Sequence, residues 1–153
     1  MTTKSVAGTI LKISAGVPAT FDSTGYAALT YTTVGEITDL GEFGRVYNVI
    51  KHNPIANRGT VKRKGSYDEG ALNLKLALDT DDAGQILCKA AMASDNSYAI
   101  QITEQGGDKW YMQVQVTSFK TQFGSVDNMQ SASIDMEITT SATGVGVVEV
   151  LAP

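Results

Sequence analysis

A regular alternation of apolar and polar residues marks the best-defined strand of the chain, residues 71–78 (ALNLKLAL). The leucines at every second position share one face: Leu72, Leu74, Leu76 and Leu78. Asn73, Lys75 and Ala77 occupy the other face. A period of two predicts a strand with one buried face and one face in water.

Two further segments alternate in the same way and predict long strands, at residues 110–122 and 129–139. Their predicted core faces are Trp110, Met112, Val114 and Val116 in the first, and Ala132, Ile134, Met136 and Ile138 in the second. Their predicted outer faces are Tyr111, Gln113, Gln115 and Thr117, and Ser131, Ser133, Asp135, Glu137 and Thr139. Residues 98–104 predict another strand, which a glycine-containing turn at 106–108 joins to the 110–122 strand as a hairpin.

The remaining strands are less regular. Residues 6–15 predict a first strand centred near Ile10, and residues 29–37 and 46–50 are rich in β-forming residues. Residues 17–28 and 38–44 are interpreted as loops, because they carry glycines and small polar residues. The tail from Thr140 predicts either an added edge strand or an extended arm.

One helix is predicted, over residues 79–94. Asp79 or Thr80 is the expected N-cap, and the aspartates that follow favour the positive helix N-terminus. The expected apolar stripe is Ile86, Leu87, Ala90 and Ala91, flanked by Cys88 and Met92. Together these elements predict a mostly antiparallel β-sandwich or barrel with one flanking α-helix, in a single domain spanning residues 1–153.

Residues 51–70 form a long, polar, glycine-containing stretch that predicts a loop acting on a partner. It holds five of the twelve Lys and Arg residues: Lys51, Arg58, Lys62, Arg63 and Lys64. The whole chain nevertheless has a net charge of −4, so charge is segregated along the sequence. Contact with a partner protein, a solvated loop and contact with nucleic acid are the three alternatives for this stretch.

Overall charge narrows the class of partner. A dedicated duplex-DNA binder is usually basic, whereas this chain has a pI near 4.9. An acidic body with one basic loop favours self-association, in which the loop of one copy meets the acidic surface of another. No apolar stretch approaches the ~20 residues of a membrane span, and the single cysteine cannot form an intrachain disulfide.

The residues that could carry chemistry do not form a recognised catalytic or metal-binding pattern. His52 is the only histidine, and neither a G-x-S-x-G elbow nor a catalytic-cysteine signature is present. Cys88 is expected to be a small buried hydrophobe. Asp79, Asp81 and Asp82 begin like a calcium loop, but the glutamate at its twelfth position is missing. We therefore expect no catalytic residue, no metal site and no cofactor.

The order of these parts resembles the tail tube (major tail) proteins of long-tailed, non-contractile bacteriophages. The resemblance covers most of the chain and rests on the segments TTKSVAGTILKIS, VGEITDLGEFG, the long basic loop, and GSYDEGALNLKLALDTDDAGQILCKAAMAS. In the last of these segments a strand leads into an acidic-capped helix. The match lies in the order of parts, since no short motif among them is diagnostic alone.

The resemblance implies a structural virion protein of the phage tail, made in the host bacterial cytoplasm. Six copies would close their sheets into a continuous inner β-barrel, and stacked hexameric rings would form a hollow tube that conducts double-stranded DNA. The loop at about 51–70 would reach the next ring, with an N-terminal arm (about 1–6) and a C-terminal arm (about 140–153) locking rings together. Tape measure, tail terminator and baseplate proteins would be the other partners. No C-terminal immunoglobulin-like domain is expected.

The polar strand faces are the candidates for lining such a tube. Among them, Gln113, Gln115, Asp135 and Glu137 are the principal possible lumen-facing residues. Negative charge on a lumen would repel phosphate and keep DNA sliding.

Three other functions stay open at this stage. A ring-forming tail terminator or baseplate protein would share the same fold. A β-sandwich that binds a glycan or host surface would need an exposed aromatic platform, but the aromatic residues are spread singly along the chain. A small enzyme on a β-scaffold is disfavoured by the single histidine and the missing motifs.

Overall fold

The computed structural model describes residues 3–153, which form an eight-stranded sheet, a separate two-stranded hairpin and two helices. The strands are β1 (Ile10–Ser14), β2 (Thr32–Val34), β3 (Ile37–Asp39), β4 (Val46–His52), β5 (Val61–Asp68), β6 (Ala71–Ala77), β7 (Tyr98–Thr103), β8 (Lys109–Gln122), β9 (Ser131–Thr139) and β10 (Val148–Val150). The helices are α1 (Ser23–Ala27) and α2 (Ala83–Ala93). Residues 1 and 2 of the predicted N-terminal arm lie outside the described residues.

The large sheet is antiparallel throughout and curls until its edges meet. Its strand order is β2-β1-β7-β8-β9-β6-β3. The eighth strand, β10, pairs with the first residues of β8. β2 and β3 therefore lie at opposite edges, although only Gly35 and Glu36 separate them in the chain. Glu36 makes the sharp connection with a positive φ of 62°. A two-residue link between the edges requires a barrel-like sheet, which confirms the predicted mainly-β fold with a flanking helix.

Alternate side chains of the strands fill the barrel. The predicted inward faces of β6, β8 and β9 are confirmed, because Leu72, Leu74, Leu76, Met112, Val114, Val116, Ala132, Ile134, Met136 and Ile138 are all buried. Trp110 is half-buried and packs edge-on against Phe43, with ring centroids 5.7 Å apart. Core packing was the expected role for Trp110.

α2 packs on the barrel with a different face from the one predicted. The buried residues are Gly84, Gln85, Cys88 and Ala91, whereas Ile86 is 55% exposed. Gln85 is buried because its Nε2 donates to the carbonyls of Gly35, at 3.1 Å, and Ala77, at 3.0 Å. A polar side chain thus occupies a core position by satisfying two backbone groups at the seam where the sheet edges meet.

Asp82, rather than Asp79 or Thr80, is the N-cap of α2. Its carboxylate accepts from the backbone N–H of Gln85, at 3.0 Å, and also from that of Gly35, at 3.1 Å. The cap therefore ties the helix to the connection between β2 and β3. Because this second acceptor role depends on the folded barrel, sequence alone could not distinguish Asp82 from its neighbours.

A second layer covers part of the outer sheet face. Residues 17–28, predicted as loop, contain α1, whose Tyr26 is buried and stacks on Tyr111 with centroids 5.4 Å apart. β10 adds Val148 and Val150 to the same cluster. Tyr111 is consequently buried, although the alternation placed it on the outer face. The tail provides the added strand that was one of its two predicted forms.

Candidate assembly surfaces

The segment predicted as a long loop is mostly a β-hairpin. β4 and β5 pair only with each other, joined by a tip at residues 53–60, so the prediction of an irregular loop at 51–70 was wrong. Every residue of β4 is exposed, and Tyr67 and Gly65 alone are half-buried in β5. Alternation in a sequence arises from burying one face. A hairpin that buries neither face therefore carries no such signal.

The register brings three of the five predicted cations together. Lys51 lies opposite Lys62 and Val49 lies opposite Lys64, so these lysines share one face of the hairpin. Arg63 lies on the other face, opposite Ile50. Arg58 lies in the tip, apart from the paired strands.

Exposed apolar side chains accompany the cations. Val46, Val49, Ile50, Ile55 and Val61 are all large, hydrophobic and exposed. Apolar groups concentrated on one projecting element are typical of a surface that binds another protein. The hairpin therefore presents both charge and apolar area to a partner.

Aromatic and ionic contacts fix the base of the hairpin to the barrel. Arg45 Nε donates to Glu69 Oε1 at 2.9 Å, and its guanidinium lies 3.9 Å from the ring centroid of Tyr67. The hydroxyl of Tyr67 donates to the carbonyl of Gly144 at 2.9 Å. Hydrogen bonds to Tyr47 and Glu69 raise the pKa of Arg45, so its charge is permanent. An isolated hairpin is marginally stable in water, and these contacts supply its anchor.

The turn between β8 and β9 exposes a second apolar group that the sequence analysis did not single out. Phe123 is 65% exposed, Val126 is 98% exposed and Met129 is 79% exposed. They are isolated apolar residues within a polar turn, so no periodic pattern identifies them. The sequence signal that could have identified them is the presence of large apolar residues in a turn segment that also contains Gly, Asp and Asn.

The predicted lumen residues differ in accessibility. Gln115 and Glu137 are exposed and lie opposite each other on β8 and β9. Asp135 is half-buried and accepts from Ser118 Oγ at 2.9 Å. Gln113 is only 6% exposed, so its side chain does not fit a surface-lining role. The second layer beside Tyr111 crowds this end of the outer face, an effect that period-two reasoning does not include.

Both terminal segments meet at Asp108, in the turn between β7 and β8. Lys4 pairs with Asp108 and with Glu104, and the second carboxylate oxygen of Asp108 accepts from the backbone N–H of Ala152 at 2.8 Å. The hydrogen bond from Ala152, followed by that from Lys4, lowers the pKa of Asp108. One ionised carboxylate therefore holds both arms.

The residues considered for chemistry lie apart. His52 ends β4 opposite Val61 on the exposed hairpin. Cys88 is buried in α2, and burial raises the pKa of its thiol to about 12. Across residues 3–153, no cluster of three or more His, Cys, Asp or Glu side chains could hold a metal ion. Within the same residues, no helix has the length and apolar character needed to cross a membrane.

Solved structures with similar folds include chains of an extracellular contractile injection system and of a prophage baseplate. The chain is similar to one in the sheath/tube terminator of an extracellular contractile injection system, PVC, in its extended state, with a TM-score of 0.71, 9% identity and 99% of both chains covered. It is similar to a chain of the anti-feeding prophage baseplate, with a TM-score of 0.62, 8% identity and coverage of 91% of this chain and 94% of that one. A third similarity is to the PVC sheath–tube complex, with a TM-score of 0.60, 10% identity and coverage of 99% and 93%.

The chain has a tail-tube-like fold. The similarity spans nearly its full length, so it covers the barrel, α2 and the arms together. No protein family and no curated protein matches the sequence. At 8–10% identity, the similarity concerns the fold.

Proposed function

We propose that this chain is a structural subunit of a phage tail tube. It would self-assemble into stacked hexameric rings whose hollow centre conducts double-stranded DNA. The observation that carries the proposal is the projecting β4–β5 hairpin, exposed along nearly its whole length, on a fold similar across 99% of its residues to a chain of a sheath/tube terminator structure. The role is structural rather than catalytic.

The energetics of the hairpin support assembly. Lys51 and Lys62 lie directly opposite each other, and like charges in this position destabilise a strand pair. The exposed valines and isoleucines of the hairpin gain stability only when a partner covers them. A surface on another copy that carries both carboxylates and apolar side chains would offset both costs.

The polar face of β6, β8 and β9 is the proposed wall of the lumen. Gln115 and Glu137 are exposed there, and Asp135 lies opposite Ser118, just beyond a bulge in β8 between Val116 and Ser118. Two carboxylates per copy, repeated around a ring, would keep the potential of the channel negative and reduce adhesion of DNA phosphates. Gln113 is not part of this proposed surface, because it is buried.

The proposed setting is the tail of a virion of the long-tailed, non-contractile type. Tape measure, terminator and baseplate proteins would be its partners. Two of the similar folds come from a contractile injection system, so the non-contractile assignment rests on the sequence resemblance alone. Tube subunits of both types need the same two abilities, closing a ring and stacking it.

A ring-forming terminator or baseplate component is the second candidate. The specific observation in its favour is the TM-score of 0.71 with a chain of a sheath/tube terminator structure, against 0.60 for the sheath–tube complex. A terminator closes a tube, so its rings do not continue to stack. A head-to-tail contact, in contrast, propagates without end.

Negative-stain electron microscopy of the purified chain, dilute and concentrated, tests these functions. Hollow tubes or stacked rings of uniform width are the expected result for a tube subunit. Single rings at all concentrations would favour the terminator or baseplate role. Monomers alone at high concentration, with the tail's initiating complex added, would overturn both assembly functions.

A further inference from the structure

The two exposed apolar groups lie at opposite ends of β8. Phe43, three residues before β4, packs on Trp110 at the start of β8, which places the hairpin base at that end. The turn that carries Phe123 and Val126 follows Gln122 at the other end. Eleven residues of β8 lie between Trp110 and Gln122, so twelve strand steps separate the two by a distance on the order of 40 Å.

The turn belongs to a well-fixed end of the barrel. The backbone N–H of Leu78 donates to the carbonyl of Gln130 at 2.9 Å, which joins the end of the turn to the end of β6. Asn128 N–H donates to the carbonyl of Ser125 at 3.0 Å and closes the turn itself. The apolar side chains of the turn are thus held outward on a bonded frame. We call Phe123, Val126 and Met129 the turn cluster.

Exposed carboxylates lie at the same end of the barrel as the turn cluster. The backbone N–H of Ala77, the last residue of β6, donates to the carbonyl of Glu36 at 2.9 Å, and the acidic start of the α2 region follows directly. Four exposed acidic residues lie at this end: Glu36, Asp79, Asp81 and Asp127. Three lysines, Lys75, Lys89 and Lys120, also lie at this end, and exposed Asp39 lies opposite Lys75, so carboxylates outnumber lysines there.

We propose that the turn cluster and its four carboxylates form the docking surface for the β4–β5 hairpin of a second copy. The inference rests on the proposed function, and it names the two surfaces through which neighbouring copies would contact each other. Cations and exposed apolar residues on the hairpin match carboxylates and exposed apolar residues at the turn. The two surfaces differ and lie at opposite ends of one strand, so the contact joins copies head to tail and repeats.

A second copy is the occupant favoured by the chain's own composition. The hairpin contains no carboxylate from Val46 to Tyr67, and Asp68, the last residue of β5, lies at its base opposite Val46, so the cations further along the hairpin have no counter-charge beside them. The opposed pair Lys51 and Lys62 would be relieved by approach of an acidic surface. Such a surface is present at the far end of the same molecule, where it cannot serve the hairpin of its own chain without bending it back along the barrel.

The first test places a positive charge in the turn cluster. Val126→Lys should reduce the number and length of tubes at least tenfold, because it repels the hairpin cations and removes exposed apolar area. Val17→Lys, at another exposed valine, is the matched control and should assemble like the wild type. Normal tubes from Val126→Lys would overturn the docking surface while leaving the tube function intact.

The second test exchanges charges between the two surfaces. The triple variant Lys62→Glu, Arg63→Glu, Lys64→Glu should block stacking. The triple variant Glu36→Lys, Asp81→Lys, Asp127→Lys should also block it. Combining both sets in one chain should restore stacking, because the attraction is re-formed with opposite sign. Circular dichroism checks that each variant is folded. Failure of the combined, folded chain to recover any stacking would overturn the pairing.

The third test joins the surfaces covalently. One population carries Ile55→Cys at the hairpin tip and the other carries Val126→Cys, while native Cys88 is buried and does not compete. Oxidation of the mixture should yield heterotypic disulfide dimers and very few dimers from either population alone. Predominant Ile55→Cys homodimers would indicate a symmetric contact and overturn the head-to-tail arrangement. A wild-type chain that never assembles would overturn the proposed function itself, a result distinct from normal stacking of Val126→Lys.

Discussion

A guanidinium nitrogen of Arg45 lies 2.7 Å from the carboxylate of Glu69, at the point where the hairpin leaves the barrel. Glu69 is 4% exposed, so removal of Arg45 would leave a buried carboxylate without its ion-pair partner. Gly146 packs so closely over it that a Cβ at that position would lie 2.6 Å from Glu69 Cγ. The ion pair and the C-terminal segment thus hold the hairpin base from two sides.

Glu69→Gln should loosen the hairpin without unfolding the barrel. The amide cannot pair with the Arg45 charge, while the core strands make no use of this contact. We expect limited proteolysis at residues 53–60 to be several-fold faster than in the wild type, with an unchanged thermal transition of the barrel. Glu149→Gln, an exposed carboxylate on β10, is the control. Equal cleavage rates in all three proteins would show that the pair does not anchor the hairpin.

Reversing the basic run should block polymerisation. We predict that Lys62→Glu, Arg63→Glu and Lys64→Glu together leave a folded monomer that forms no tubes, because the hairpin would then meet an acidic surface with like charge. The double variant Lys62→Glu, Lys64→Glu has a matched control in Lys12→Glu, Lys109→Glu on the body of the barrel. Sedimentation of polymer and electron microscopy give the readout. Tubes of normal length from the triple variant would contradict the role of these charges.

Reversing the proposed lumen charges should spare assembly and impair DNA passage. Asp135→Lys with Glu137→Lys replaces carboxylates by ammonium groups that bind phosphate, so DNA should be retained in the tube. The neutral pair Asp135→Asn, Glu137→Gln should have a smaller effect. We expect tubes of normal width and a loss of infectivity of roughly tenfold or more, on the scale of a few screened phosphate contacts. Full infectivity of the lysine variant would remove these residues from the lumen.

Acid should release both terminal arms together. The pKa of Asp108 is lowered below its ordinary value of 3.8, so its contribution is present above that value and is lost as pH falls through the lowered pKa. The pKa of Lys4 is raised above 10.5, so its contribution persists up to that pH and is lost only above it. The arms should therefore be held between about pH 4 and pH 10.5.

Hydrogen exchange of the arms in wild type and in Asp108→Asn measures this release. At pH 7 the variant should exchange faster at residues 3–9 and near Ala152, because both contacts to the carboxylate are weakened. As the pH falls through the lowered pKa of Asp108, the difference between the two proteins should vanish, because the protonated carboxyl of the wild type carries no charge, like the amide of the variant. A difference that persists unchanged into acid would mean that the charge of Asp108 does not hold the arms.

Sequence predicted those strands whose two faces meet different surroundings. β6 and β9 each bury one face, and β8 does so beyond Gln113, and the alternation of their residues records it. β4 and β5 bury neither face, so only the composition of residues 51–70 marked them, and it did so as a loop. The cations of the hairpin were found individually, but their pairing depends on a register that composition does not contain.

The helix shows a different limit of sequence reasoning. Hydrophobicity favoured Ile86 for the core, whereas the barrel seam provides two carbonyls that only a donor such as Gln85 satisfies. A buried polar group is favourable only when its partners are in place, and these partners come from β6 and from the link after β2. A local sequence pattern therefore cannot predict hydrogen-bond partners that lie on strands distant in the sequence.

The same seam makes Gly84 a position where any side chain is costly. A Cβ there would lie 2.2 Å from the carbonyl oxygen of Thr33 and 2.5 Å from Cα of Val34, and both are backbone atoms that cannot rotate away. We expect Gly84→Ala to destabilise the barrel by about 1–3 kcal/mol, the usual cost of overpacking, despite the higher helix propensity of alanine. Ala90→Gly, at an exposed position of the same helix, is the control and should lose only about 1 kcal/mol from propensity. Urea unfolding of the wild type, Gly84→Ala and Ala90→Gly measures the free energy of unfolding of each protein. If Gly84→Ala proved as stable as the wild type, α2 would not be held against β2 by close backbone packing.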